Sequence, residues 1–142
     1  MAKLIQRLQD AAKSGAYRAS RIDPIADAVR GSPLSFAALS LIEVTEKIAL
    51  LRRIAAALGF PAWFGENWDA LEDCLTDLSW REAQGHVLVL QGFQFLPADD
   101  LGVLIDVLTT AAEFWAARGK PFFAVFIDPE RTLALADLYH EA

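Results

Sequence analysis

The sequence predicts a small single α/β domain, with a three-stranded, mostly parallel sheet packed with helices and an N-terminal helical extension. Three observations predict it. Helix-like and strand-like patterns alternate along the chain, and strands joined by helices run parallel with right-handed crossovers. Two of the strands are near-continuously apolar, as a parallel sheet covered by helices requires. At 142 residues the chain has the length of one domain, and its 54% apolar content is ample for a core.

Each element follows from local pattern. Leu4, Leu8 and Ala11/Ala12 recur at helical spacing over residues 3–13, ahead of Gly15. Ala16 to Ser20 is a short extended piece that could lengthen the sheet. Pro24 to Arg30 is a short helix closed by Gly31 and Pro33. These first residues, 1–33, form the extension, expected to pack on the main domain at 34–142. Leu34 to Val44 is an apolar run and is expected to be a buried strand. Thr45 then caps a helix whose inner face carries Ile48, Leu51, Ile54/Ala55 and Leu58, stopped by Gly59 and Pro61.

Residues 61–66 form a loop. Asn67 is the N-cap of a helix reaching about Leu78. Val87 to Gln91 is the second strand. Pro97 to Arg118 is a long helix with Leu101, Leu104/Ile105, Leu108, Ala111/Ala112 and Trp115 on its buried face, ended by Gly119. Phe122 to Ile127 is the third strand. Asp128-Pro129 opens a terminal helix that uses Leu133, Leu135 and Leu138 as contacts.

Composition narrows the function classes. Residues 1–60 hold nine Lys or Arg against five Asp or Glu, a balance of +4; residues 61–142 hold four against fourteen, a balance of −10. An acidic half repels phosphates and so disfavours nucleic acid as partner; it suits a cationic protein. No run approaches the length of a membrane span. The start mixes charges among its leucines and lacks the apolar stretch of a signal peptide. The lone Cys74 makes no internal disulfide. Cytoplasmic localisation is therefore expected, with no membrane partner.

Enzyme chemistry finds no support in the residues. There is no Gly-rich phosphate loop, nucleophile elbow or triad pattern. His86 and His140 fit no metal motif with Cys74, and both read as surface or strand-end residues. Acids from one helix face seldom enclose a cation. No catalytic residue, metal or cofactor is expected.

The most informative stretch is Pro61 to Trp80, which holds Glu66, Asp69, Glu72, Asp73 and Asp77 and no Lys or Arg. On a helix, Glu66, Asp69, Asp73 and Asp77 fall within roughly 80° of one another, with Glu72 flanking them. Trp68, Leu71, Leu75 and Leu78 take the opposite side, with Cys74 at its margin. Asp69/Asp73 and Asp73/Asp77 are like-charge pairs at i, i+4, which destabilise a helix. The first-turn acids recover part of this from the helix dipole. Folding physics alone would not choose this face; a cationic ligand would reward it. The plainer alternative is an acidic surface merely wet by water. Trp63 and Phe64 precede the acids, and large rings beside charges are material for interface hot spots. One of the two is expected to be a lid on the core instead.

The segment Ala-Leu-Gly-Phe-Pro-Ala-Trp-Phe-Gly-Glu-Asn-Trp-Asp-Ala-Leu-Glu-Asp-Cys-Leu-Thr-Asp-Leu, residues 57–78, resembles the signature of barstar-family ribonuclease inhibitors. These share an aromatic-Gly-x-Asn-x-Asp-Ala-Leu-x-Asp-x-Leu segment. The similarity extends over roughly residues 34–128. It implies a three-stranded parallel sheet packed with helices. It also implies an intracellular inhibitor that plugs the active site of a basic secreted ribonuclease or nuclease toxin. By the same resemblance, Asp69 and Asp73 match two acidic contacts, Trp63 an aromatic contact, Gly65 and Asn67 loop contacts, and Thr76 a peripheral one. Together with Phe64, Glu66, Glu72 and Asp77 these make up the expected partner-binding set. The chain departs from the family's well-known member at several points. Glu72 replaces a tryptophan, Trp63 and Phe64 replace two tyrosines, and Phe114, beside Glu113, replaces an acid on the long helix. The alternative function is an acidic module that binds some other basic, non-nuclease protein.

Overall fold

A computed structural model, which describes residues 2–140, places five parallel strands in one sheet. Residue 1 and residues 141–142, the ends of the two expected segments, lie outside that range. The strands are β1 (Gly15–Ala19), β2 (Leu34–Ser40), β3 (Gly85–Gln91), β4 (Phe122–Ile127) and β5 (Ala136–Asp137), in the spatial order β2-β3-β4-β1-β5. The helices are α1 (Ala2–Leu8), α2 (Asp23–Val29), α3 (Lys47–Leu58), α4 (Trp68–Leu75) and α5 (Ala98–Ala116). No helix among the described residues is long and apolar enough to cross a membrane.

Successive side chains in a strand point to opposite faces, and here both faces are covered. Leu88 and Leu90 of β3, with Phe122, Ala124 and Phe126 of β4, join the core formed with α3, α4 and α5. Their neighbours Val87, Val89, Phe123 and Val125 join a second core with Leu4 and Leu8 of α1 and Ile25 and Val29 of α2. Double burial explains why the central strands read as unbroken apolar runs. Residues 2–33 thus supply both the second layer of helices and, through β1, an internal strand.

The sheet has five strands rather than three. β1 pairs with β4, with Tyr17 opposite Val125, and it continues the Ala16–Ser20 piece. Only its last residue, Ala19, is fully buried, so its sequence lacks the apolar run of a central strand. β5 is two residues long, below any periodicity.

The expected terminal helix is absent among the described residues. Asp128 is buried, and its carboxylate accepts the backbone N–H of Thr132 (3.0 Å) and Leu133 (2.8 Å) and the Thr132 hydroxyl (2.9 Å). These bonds close a tight loop instead of starting a helix, and Arg131 at φ 57° turns the chain. Arg18 then donates to Asp137 (2.9 Å) and to the Leu133 carbonyl (2.7 Å), fixing β5 beside β1.

Other boundaries shift for local reasons. The first helix ends at Leu8, and Ala11–Lys13 form a separate short 3-10 turn capped by Asp10. β2 stops at Ser40, before the turn at Glu43 (φ 66°). Glu46, rather than Thr45, occupies the N-cap of α3, without a side-chain bond. α4 stops at Leu75 because the Thr76 hydroxyl bonds the Glu72 carbonyl (2.8 Å) and Leu78 takes φ 49°.

Candidate protein-binding surface

The acidic stretch lies between α3 and β3, outside the sheet. α3 ends where Gly59 adopts a left-handed conformation (φ 67°), its N–H bonding the Ala55 carbonyl. The loop that follows is anchored by rings. Phe60 meets Phe64 edge-on (centroids 5.0 Å) and also meets Trp80 (5.9 Å), whose indole N–H donates to the Leu58 carbonyl (3.0 Å). Phe64 is therefore the lid on the core. Trp63 is 61% exposed and rests only its edge against Trp80 (6.3 Å).

Asn67 caps α4 as its sequence position predicts, its side-chain oxygen accepting the Ala70 N–H at 2.7 Å. Leu71, Cys74 and Leu75 are fully buried beneath the helix. Asp69 and Asp73 are exposed on the other side and make no ion pair with any described residue. Asn67, Asp69 and Asp73 line one open depression of about 600 Å³ together with Lys47, Trp68 and Ala70. The depression is open to solvent rather than enclosed.

The remaining expected residues are less uniform. Glu66, at φ 56°, is engaged within the chain: Arg52 of α3 donates Nε (2.9 Å) and Nη2 (3.2 Å) to its two carboxylate oxygens. That bond, ahead of the Coulomb attraction, holds the Glu66 carboxyl below its ordinary range and the Arg52 guanidinium above its own. Gly65 is exposed and Glu72 half-buried. Thr76 spends its hydroxyl on the Glu72 carbonyl. Asp77 is exposed but stands past the helix end, accepting the Ser79 N–H (3.3 Å), so the expected Asp73/Asp77 helical pair does not form. Burial, and then the negative fields of Asp77 and Asp73, push the Cys74 thiol up and away from reactivity.

Lys47, Arg52 and Trp80 were invisible as parts of this surface in the sequence. All three come from outside the acidic helix, and only the packing of α3 and of the segment after α4 brings them to it. His86, read as a surface or strand-end residue, does stand at the start of β3, but it is buried there rather than on the surface, beside the Trp115 and Phe122 rings.

A family model described as Barstar (barnase inhibitor) matches residues 34–127. No curated protein matches the chain.

Proposed function

The chain belongs to the barstar family, and from that premise we propose that it is an intracellular inhibitor that binds a basic ribonuclease and blocks its active site with the exposed face of α4. The observation that carries the proposal is the pair Asp69 and Asp73: one turn apart, exposed, and unpaired among the described residues. Folding gains nothing from holding two like charges there. A ribonuclease cleft presents cations that hold RNA phosphates. Carboxylates on this ridge would take the phosphate positions through charge-assisted hydrogen bonds, bidentate where an arginine is opposite. Trp63 would add exposed apolar area beside the charges. The acidic field would speed encounter with a basic enzyme, a mechanism whose reference case is the barnase–barstar pair itself. The chain would act by occlusion, with no chemistry of its own.

Affinity capture from the native cell tests this. The wild-type chain is expected to retain a basic protein whose ribonuclease activity appears only after dissociation, and Asp69→Ala/Asp73→Ala is expected to retain none. Equal retention by the double variant removes the acidic ridge from the interface. Capture of a basic protein without nuclease activity, lost in the double variant, makes the chain a binding module for a different partner.

A further inference from the structure

We propose that Glu66 does not meet the partner as a charge but works through Arg52 as a positioning residue, holding the 61–66 loop in its binding shape before any partner arrives. The consequence for binding rests on the inhibitor reading above; the holding itself is a property of the free chain.

Four observations converge on this pair. Both carboxylate oxygens of Glu66 are taken by one guanidinium, at 2.9 and 3.2 Å. The two-point fork fixes the direction of the carboxylate as well as its distance. Glu66 sits at φ 56°, a region that a long side chain adopts only when its surroundings impose it. The loop's other anchors lie on either side: the Phe64 ring on Phe60, and the Asn67 side chain on the Ala70 N–H. Gly65, between them, has the greatest backbone freedom of any residue. Its added Cβ would meet only ordinary contacts, at 3.5 Å, so sterics do not hold it. The Asn67 side-chain amide also reaches back to the Gly65 carbonyl, at a long 3.4 Å; the Arg52 fork adds the side-chain tie from this segment, just after Trp63, to α3.

The ridge a partner meets is correspondingly narrower than the sequence implies. The Glu66 charge is neutralised within the chain, and Asp69 and Asp73 stand as the ridge's charges within the depression, which Lys47 also lines without an ion pair to either among the described residues. Loop order is also where affinity can be gained without new contacts, because a loop ordered in advance loses less freedom on binding.

Hydrogen exchange of the free, full-length chain is the first test, followed over residues 62–67. Arg52→Gln, Glu66→Gln and the charge-conserving double Arg52→Gln/Glu66→Gln are each expected to speed exchange by roughly two- to fivefold, the double no more than the singles. The swap Arg52→Glu/Glu66→Arg is expected to restore protection. Unchanged exchange in Arg52→Gln overturns the proposal. The second test is binding kinetics with barnase as the basic probe. The double Gln variant is expected to dissociate faster, and the swap to return dissociation towards the wild-type rate. If Glu66 were itself a contact, the swap would place a cation against a basic surface and bind worst of all, which overturns positioning. Should wild type not bind barnase, that outcome falls on the inhibitor reading for this partner, and the exchange measurement still decides the role of Arg52.

Discussion

The indole N–H of Trp115 donates to the carbonyl oxygen of Leu75 over 2.7 Å, in the buried seam between α5 and α4. The Leu75 carbonyl is one of the last four of α4, which have no partner inside the helix. An eight-residue helix is too short to persist by itself, so contacts of this kind decide which face Asp69 and Asp73 present. Trp115→Phe keeps a large ring but leaves that carbonyl buried and unpaired. Stability is expected to fall by ~1–3 kcal/mol, read by urea denaturation. A loss below a few tenths of a kcal/mol would mean that water replaces the indole.

Acid is expected to destabilise the fold through His86. Its ring is 5% exposed, with Nδ1 2.7 Å from the Ser35 hydroxyl. Burial first, and then the fields of Arg81 and Lys120, push its pKa down to about 4 from 6.5. Below pH 6.5 the unfolded chain therefore binds a proton that the folded chain refuses. Stability is complete above 6.5 and is lost as pH falls through the window to about 4, by up to ~3 kcal/mol in all. Glu66, Asp128 and Asp137 are held below their ordinary values, so these three carboxylates do not add to the loss in the upper part of that window. Urea midpoints between pH 7 and 5 should drop in the wild-type chain and stay nearly level in His86→Gln. Parallel slopes would show that His86 protonates without cost.

What the sequence made legible follows the range of each interaction. Asn67 as a cap, Gly59 as a stop, and the apolar runs of β2, β3 and β4 depend on residues within a few positions of one another, and all are present. β1 escaped full recognition because half-exposed Tyr17 and Arg18 interrupt its apolar character, while its place in the sheet is decided by β4, more than a hundred residues away. The terminal loop misled for a sharper reason. Asp-Pro is a fair helix start, yet a buried Asp128 can cap a loop by the same chemistry. Within the acidic stretch the two-faced pattern was readable, but the engagement of Glu66 was not, because nothing near Arg52 marks it as the partner of a residue fourteen positions on.

β2 is an edge strand, and its outward carbonyls are guarded by arginines. Arg53 donates to the Ser40 carbonyl (2.6 Å) and Arg81 to that of Phe36 (3.2 Å). Open edges invite pairing with another chain, and charged side chains laid across them discourage it. Arg53→Ala/Arg81→Ala is expected to self-associate at concentrations where the parent chain does not, as seen by sedimentation velocity. Identical sedimentation of the two would mean that the edge is protected by its twist or length alone.

Asp69 and Asp73 set helix stability against the proposed function, and the two sites should not respond alike. Their repulsion at i, i+4 costs ~0.2–0.5 kcal/mol. Asp69 lies in the first turn of α4, where the helix dipole returns part of that cost; Asp73 is a turn further on and gains less. Asp73→Asn is therefore expected to leave the fold as stable or slightly more stable, while binding to a basic ribonuclease weakens by more than ~2 kcal/mol, the scale of a hot spot. Asp69→Asn should show the smaller stability gain of the two. Urea melts and titration calorimetry on the same preparations measure both quantities. A clear loss of stability in Asp73→Asn would reveal a partner for that carboxylate within the fold, and the ridge would then be structural rather than a surface kept open for a ligand.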